Sequence, residues 1–258
     1  MGRSKQKFIA FETIARKEFA RIIRIWTQTL LPSVISTTLY FVIFGSLIGS
    51  RIGEMDGFDY MAFIILGLIM MSVITTSYSN VVSSFFGTKI MKNLEEVMVS
   101  PVPNWIIILG YVSGGVFRGL LVGVLITLVS LFFSSLQVFN IFILFTSIIL
   151  TSIMFSIGGL VNGIYSKNFD QVQIVPLFVL TPLTYLGGVF YSISLLPEFW
   201  QKVSMANPIL YMVNLFRYGF LGISDINIYF AYFMIIISIV GFYVWALYLL
   251  DKGHGMRE

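Results

Sequence analysis

Few side chains in this sequence form a pattern that could do chemistry. The only histidine is His254 near the C-terminus, cysteine is absent, and no Asp or Glu falls inside a long apolar run. Catalysis, metal binding and proton relays need such groups close together, so we expect no catalytic, metal-binding or cofactor-binding residue in this chain. The phosphate-binding pattern G-x-x-x-x-G-K-[ST] is absent as well.

Arg118 is the exception, because it lies midway along an apolar run that begins near Trp105 and ends near Phe133. A charge at the centre of a membrane helix costs about 2.5–3.5 kcal/mol, so the guanidinium should face protein or water. It would then bind an anionic substrate or form a gating pair between subunits. A purely structural contact, with backbone carbonyls or an acid on another helix, is an equal alternative.

A second candidate is the short polar stretch 89–100, where Leu94, Glu95, Glu96 and Val97 form a helical pattern. Ser100, Pro101 and Pro103 end that pattern, since proline cannot continue a helix. A short acidic helix between two apolar runs is suited to docking into a groove of a soluble partner. A solvated turn is the alternative.

The composition shows which elements must carry these residues. Of 258 residues, 57% are hydrophobic and 11% charged, whereas soluble domains have roughly 25% charged residues. A membrane helix needs about 20 apolar residues. We predict an all-α integral membrane domain over residues 30–250, with six spans at about 30–49, 61–86, 105–133, 138–163, 172–191 and 228–250.

Basic residues predict the orientation of these spans. Residues 1–29, the loops after the second and fourth spans and the tail 251–258 hold twelve Lys and Arg residues, whereas the opposite side holds Arg51, Lys202 and Arg217. Because basic residues remain in the cytoplasm, both termini should be cytoplasmic. Topology thus accounts for the basic pI, and we do not expect a nucleic-acid partner.

The N-terminal segment is amphipathic, with apolar residues from Phe8 to Trp26 at steps of three and four, and with Lys17, Arg21 and Arg24 opposite. Such a helix lies in the membrane interface with its charged face in water. It would serve as an anchor among lipids or as a lever that contacts a partner.

Small and polar residues mark two of the spans. Gly115, Gly119 and Gly123 allow close helix approach, within one subunit or between two. The polar run from Thr75 to Ser84 consists of hydroxyls that bond to their own helix, or else lines a conduit.

Prolines divide the region before the last span. Pro176 and Pro182 predict a kinked or locally unwound helix. Segment 192–222 is apolar but is broken at Pro197 and at Asn207-Pro208. It therefore predicts two short helices that dip into the outer leaflet and line or cap a pathway, with an ordinary surface loop as the alternative.

Three groups of residues together resemble the ABC-2-type family of ABC-transporter permeases, and the resemblance covers nearly the whole chain. They are Leu94-Glu95-Glu96 leading into Ser100-Pro101-Val102, the stretch from Leu180 to Tyr191, and Asn207-Pro208 followed by Tyr211, Arg217 and Tyr218. The resemblance implies a homodimer in a bacterial inner membrane, with two copies of a separate ATPase that binds ATP and Mg²⁺. Residues 89–100 would be the coupling helix, 1–29 the connecting helix and 192–222 the re-entrant pair.

The resemblance further implies that residues of the last two segments line or gate the route between the two permease copies. With Arg118, the candidates are Pro182, Tyr185, Gly187, Gly188, Asn207, Pro208, Tyr211 and Arg217. Cargo in this family ranges from polysaccharides and lipids to drugs and ions, and the aromatic-rich interior favours an amphipathic or lipid-linked molecule. The alternatives are an ATPase-independent channel or scaffold, a membrane transferase, or a permease that senses instead of transporting.

Overall fold

The computed structural model describes residues 3–55 and 57–253, apart from the side chains of residues 3, 46–48, 50, 95, 97 and 98. Most of the described chain is helical, and the helices are α1 (Arg3–Arg24), α2 (Trp26–Thr29), α3 (Leu31–Tyr40), α4 (Ser50–Ile52), α5 (Tyr60–Ile90), α6 (Asn93–Val99), α7 (Asn104–Ser130), α8 (Ile141–Tyr165), α9 (Phe169–Val175), α10 (Thr181–Leu186), α11 (Glu198–Met205), α12 (Pro208–Leu221) and α13 (Ile228–Lys252). A two-stranded antiparallel hairpin, β1 (Glu54–Met55) and β2 (Phe58–Asp59), precedes α5. Of the predicted tail 251–258, residues 254–258 lie outside the described residues.

Five helical segments among the described residues are long and apolar enough to cross a membrane. They are Trp26–Gly45, Tyr60–Ile90, Asn104–Ser130, Ile141–Tyr165 and Ile228–Lys252. Where the sequence predicts a fifth span at 172–191, the chain forms α9, a π-helical segment and α10 in succession. The polar residues Asp170, Gln171 and Gln173 in α9 lower the apolar character of this segment. The count of six spans therefore stays a prediction.

Pro176 changes the helix geometry as the sequence predicts. The π-helical segment Pro176–Leu180 begins at this residue, which has no N–H to donate to the preceding turn. The side chain of Thr181 adds a hydrogen bond to this segment, since its Oγ1 donates to the carbonyl oxygen of Pro176 at 3.0 Å. A second π-helical segment, Phe41–Gly49, follows α3.

The core is built around α5, whose side chains are buried on almost all sides against α7, α8 and α12. Glycines permit this packing: a Cβ atom on Gly115 would collide with Ser156 of α8, and one on Gly119 would collide with Ser152 of α8 and Ser77 of α5. These glycines thus pack helices within one subunit, which decides between the two alternatives. In the polar run of α5, Thr76 donates to its own helix at the carbonyl of Ser72, at 2.6 Å.

The N-terminal helix packs on the bundle more closely than an anchor among lipids would. Ile14 and Glu18 lie directly over Gly110 and Gly114 of α7, where no larger residue would fit. The prediction that the charged face turns to water is wrong for Arg21, which instead reaches Asn80 of α5. The apolar face of this helix is only partly buried, since Ile22 is buried and Phe8 is exposed.

The region before the last span contains the two short helices that the sequence predicts. A 3₁₀ turn at Ile193–Leu195 is followed by α11 and α12, and the break between the helices falls at Asn207-Pro208. The more buried of the two is α12, which packs against α5, α8 and α13. Gly222 ends it in the left-handed conformation, with φ of 70°, where glycine is favoured. Whether these helices enter the outer leaflet stays a prediction.

Candidate functional site

The short helix α6 lies at one end of the bundle, in the connection between α5 and α7. Lys92 precedes it in the left-handed conformation, with φ of 59°, so the chain turns sharply after α5. Leu94 is 3% exposed and belongs to a buried apolar cluster that includes Ile107 of α7 and Leu160 of α8. The helix is therefore fixed to the spans by one buried side.

Its other side is presented outward. Glu96 is exposed, and Val99, at the last position of α6, is 87% exposed. The helix ends as the sequence predicts, because Ser100 has extended backbone and the exposed Pro101 follows it. The side chains of Glu95 and Val97, which are also candidates, lie outside the described part of the structure.

Lys89, in the last turn of α5 just before α6, contacts a neighbouring span. Its Nζ donates hydrogen bonds of 2.8 Å to the carbonyl oxygens of both Ile164 and Ser166, at the C-terminal end of α8. Carbonyls at a helix C-terminus lack partners within the helix and carry partial negative charge, so a lysine there is stabilising. Movement of the connection that holds α6 would therefore pull on α8 as well as α5.

Arg118 of α7 contacts the N-terminal part of the chain. Its Nη2 donates a hydrogen bond of 2.8 Å to the carbonyl oxygen of Thr29, at the end of α2. This is the structural contact with a backbone carbonyl that the sequence leaves open as one alternative. Binding of an anionic substrate by Arg118 stays a prediction.

The residues from Pro182 to Gly188 form the end of the interrupted helix. Pro182 lies in α10 directly after the π-helical segment, and because Leu180 before it is still helical, its missing N–H falls inside a continuous helical run. Tyr185 is 51% exposed, and its carbonyl oxygen accepts a hydrogen bond of 2.8 Å from the hydroxyl of Tyr191. Gly187 and Gly188 then turn the chain back, Gly188 with φ of 71°. A Cβ atom on Gly187 would collide with Ile209 of α12.

Asn207 and Pro208 start α12 and join it to α10. The Asn207 side chain accepts a hydrogen bond of 3.0 Å from the backbone N–H of Ile209 and so caps the helix. Its Nδ2 also donates to the carbonyl oxygen of Leu183 at 2.6 Å. The buried hydroxyl of Tyr211 donates to the carbonyl oxygen of Met205, across the break between α11 and α12. These candidates are thus brought together with those of α10.

Arg217, which the sequence places on the outer side and among the candidates that line or gate the route, is buried inside the protein. The residue is 1% exposed, and its guanidinium lies 3.6 Å from the ring centroid of Phe63 in α5. Its Nη2 donates a hydrogen bond of 2.9 Å to the carbonyl oxygen of Gly188, and its Nη1 lies 4.0 Å from Asp225 Oδ2. Arg217 is therefore a buried connection between α12, α5 and the Gly187-Gly188 turn.

Comparison with known proteins identifies the family of the chain. The sequence model of the ABC-2 type transporter family matches residues 9–221. The chain belongs to this family. It is 55% identical over 251 residues to "Inner membrane transport permease YadH" of Escherichia coli K12, covering 97% of this chain and 98% of that one. "Nodulation protein J" of Sinorhizobium fredii NGR234 is 23% identical, over 74% of this chain and 75% of that protein.

Membership in the ABC-2 family fixes the general role of the chain. It is a transport permease subunit of an ABC transporter and a multi-pass protein of a bacterial inner membrane. Such a permease implies a partner ABC ATPase. The residues through which this chain meets that partner are not established by family membership alone.

The sequence did not predict a polar cluster between α1 and the spans. Glu18 is fully buried and accepts hydrogen bonds from Ser84 Oγ at 2.6 Å and from Arg21 Nη2 at 3.0 Å. Arg21 Nη2 also donates to Asn80 Oδ1 at 2.8 Å. One signal was available, because Glu18 falls between Ala15 and Ile22 on the apolar side of the helix, where a carboxylate needs a partner.

Proposed function

We propose that this ABC-2 permease is the membrane subunit of an ATP-driven exporter and works as a homodimer with two copies of a separate ATPase. The cargo is an amphipathic, lipid-linked, polysaccharide or drug-like molecule that leaves the cytoplasm or the inner leaflet. The observation that carries the proposal is the geometry of α6, which is anchored on one side by Leu94 and exposed at Glu96 and Val99.

The exposed side of α6 has the chemistry of a docking element. An aliphatic side chain that is 87% exposed, as Val99 is, gains free energy when a partner covers it. Glu96 beside it adds a charge that selects a basic groove. Of the predicted coupling residues, Glu95, Glu96, Val97, Ser100 and Pro101 would form the ATPase-coupling surface, whereas the buried Leu94 would hold the helix against the spans.

Two contacts support a route from α6 into the membrane domain. ATP and Mg²⁺ would be bound by the partner, whose closure moves α6, and Lys89 carries that movement to the end of α8. From α8, Asn162 Nδ2 donates a hydrogen bond of 2.9 Å to the carbonyl oxygen of Val172 in α9. The interrupted helix α9–α10 would then shift and open the route between the two permease copies.

The N-terminal helix would act as the family's connecting helix in this mechanism. It is held to α5 by Arg21, and it packs on α7 where Ile14 and Glu18 lie over Gly110 and Gly114. A movement of α1 is therefore transmitted to the two spans that flank α6. This arrangement favours the lever over the plain interfacial anchor.

The proposal includes a topology of six spans with both termini in the cytoplasm. Segment Phe169–Leu186 would be the fifth span and α11–α12 a re-entrant pair at the outer side, next to the exit. The bias of basic residues supports this orientation.

Purification from the native membrane tests the docking surface. We expect an ATPase to accompany the wild-type permease and to be lost from the double variant Glu96→Lys, Val99→Asp. Lys202→Glu, an exposed change at the other end of the molecule, should retain it. If both variants retain the ATPase, α6 is not the docking site, and if an ATPase accompanies neither variant nor wild type, an ATPase-independent channel or scaffold is favoured.

A further inference from the structure

Arg118 of α7 carries a charge that no acidic side chain balances in the described part of the chain. Its Nη2 donates to the carbonyl oxygen of Thr29, but no carboxylate of the described residues lies within ion-pair distance of the guanidinium. Glu18, on the neighbouring helix, is paired with Arg21 instead, at 3.0 Å. Charges inside membrane segments are normally paired, because an unpaired one is costly. The missing partner of Arg118 should therefore be an anion from outside the chain.

Arg21 of α1 places a second positive charge beside the first. The two helices run side by side in the same direction, since successive turns of α1 lie over Gly110 and then Gly114 of α7. The next turn in this register brings Arg21 next to Arg118, and the two charges repel each other. Glu18 offsets only one of the two, so a positive charge remains in excess.

Each of these arginines keeps one accessible nitrogen that can bind an anion. The Nε atoms of both are buried. Arg21 Nη2 already donates to Glu18 and Asn80, and Arg118 Nη2 donates to Thr29. The Nη1 atoms are not enclosed and have no hydrogen-bond partner among the described residues, and both side chains are partly exposed. Hydrogen bonds from guanidinium groups to an oxyanion are charge-assisted and stronger than neutral ones.

The two nitrogens lie at the level where lipid headgroups meet hydrocarbon. Thr29 belongs to the first turn of the candidate span Trp26–Gly45, so the guanidinium of Arg118 reaches the beginning of that span. Trp26, at the same boundary, is 52% exposed, and Trp rings settle at the membrane interface. An anion that reaches Arg118 at this depth is therefore part of a headgroup.

Apolar surface for acyl chains lies on the adjoining helices. α3 and α7 pack against each other, and both keep exposed aliphatic side chains farther along their spans, Ile35 at 56% and Leu128 at 54%. A lipid covers such side chains with its acyl chains, whereas a soluble phosphate leaves them uncovered. Free guanidinium nitrogens next to apolar helices thus fit a phospholipid better than free phosphate.

We propose that Arg118 and Arg21 bind the phosphate of an anionic phospholipid, which stays with the permease as a resident lipid and stabilises the contact between α1 and α7. A zwitterionic lipid binds less well, because its own cation offsets the charge of its phosphate. The site goes beyond the export function and depends on neither the ATPase nor the cargo. It takes from the proposed topology only the assignment of this lipid to the inner leaflet.

Native mass spectrometry of the purified permease in neutral detergent tests the site, because it counts the lipids that each copy retains. The probes are dioleoylphosphatidylglycerol, which is anionic, and dioleoylphosphatidylcholine, which is zwitterionic. We expect wild type to bind the anionic lipid about fivefold more tightly. Arg118→Gln should weaken that binding about tenfold, as for a lost hydrogen bond to a charged group. Arg51→Gln is the matched control, since it makes the same change at an exposed position outside the site.

Equal affinity of wild type for the two lipids, or equal effects of Arg118→Gln and Arg51→Gln, would overturn the proposal. Because Arg118→Gln also removes the contact with Thr29, Arg24→Gln separates lipid binding from helix packing. Arg24 lies one turn from Arg21, is exposed and makes no hydrogen bond or ion pair within the described structure. Its loss should weaken binding of phosphatidylglycerol about three- to fivefold and leave the thermal unfolding of the lipid-free protein unchanged. Unchanged lipid binding in both Arg24→Gln and Arg118→Gln would exclude the site.

Competition with inorganic phosphate distinguishes a lipid headgroup from a free anion. Phosphate is added to the complex of permease and phosphatidylglycerol, and chloride at the same ionic strength is the control for screening. We expect the two salts to displace the lipid equally and weakly, because neither replaces the acyl chains. Displacement by phosphate well beyond that by chloride would assign the site to a soluble anion and overturn the assignment to a lipid.

Discussion

Ser84 Oγ in α5 donates a hydrogen bond of 2.6 Å to Glu18 Oε1 in the N-terminal helix. Glu18 is fully buried, and Arg21 balances its charge from the next turn of the same helix. The N-terminal helix is therefore held to the spans by a specific polar contact in addition to apolar packing. This contact couples movement of α1 to movement of α5.

Glu18→Gln tests this contact. The change removes the charge that pairs with Arg21 while keeping the side-chain size, so the free energy of unfolding should fall by about 2 kcal/mol, as for a lost hydrogen bond between charged groups. Denaturant titration in mixed micelles measures it. Glu12→Gln is the matched control, because the Glu12–Arg16 pair is exposed and should contribute about 0.5 kcal/mol or less. Equal effects of the two changes would contradict a special role for Glu18.

Gly119→Ala tests the close packing of α5, α7 and α8. The added methyl group would collide with Ser77 and Ser152, so we expect the free energy of unfolding to fall by about 1–3 kcal/mol through overpacking. Gly87→Ala, in the open, should be neutral or slightly stabilising, because alanine favours helix. The same micelle titration compares them, and a stable Gly119→Ala variant would contradict the packing described for α7.

Arg217→Gln tests the buried connection at α12. The change removes the cation over the Phe63 ring and alters the donor to Gly188 O, so stability should fall by about 2 kcal/mol. Arg217→Lys should restore part of this loss, since it keeps the charge without the planar fork. Lys202→Gln, at an exposed position, should have little effect. An Arg217→Gln variant as stable as wild type would contradict the role of Arg217 as a buried connection.

Much of the bundle was predictable because long runs of apolar residues indicate membrane spans. Long apolar runs predicted the helices now seen as α5, α7, α8 and α13, since a helix in lipid must satisfy its backbone internally and cover its length with apolar side chains. The end of α6 was also predictable from the residues next to it, because Pro101 and Pro103 cannot continue a helix. Pro176 likewise predicted a local change of helix geometry, although the sequence did not predict its π-helical form.

The side-chain partners were not predictable from local patterns. Arg217 lies in the segment that the sequence predicts to line or cap a pathway, yet its partners depend on how α12 packs against Phe63 and Gly188. Glu18 likewise needs Ser84, which is 66 residues away. Periodicity records which face of a helix is apolar, but it does not record which other helix that face meets.

The predicted orientation can be tested because the sequence holds no cysteine. In intact spheroplasts, a membrane-impermeant maleimide should label Gln137→Cys, in the connection between α7 and α8, and should leave Asp170→Cys of α9 unlabelled. Both residues are exposed, so permeabilised membranes should show equal labelling. The reverse pattern in spheroplasts would invert the proposed topology.

The central claim is that α6 meets the ATPase, and cross-linking in native membranes tests it most directly. Val99→Cys places the only thiol of the chain at the exposed end of α6, and Tyr229→Cys places one at an equally exposed position at the start of α13. With a short maleimide–diazirine cross-linker, whose photoactivated end needs no thiol on the partner, we predict an adduct of permease and ATPase for Val99→Cys and none for Tyr229→Cys. A Val99→Cys thiol that reacts with free maleimide but never with the ATPase would contradict the account.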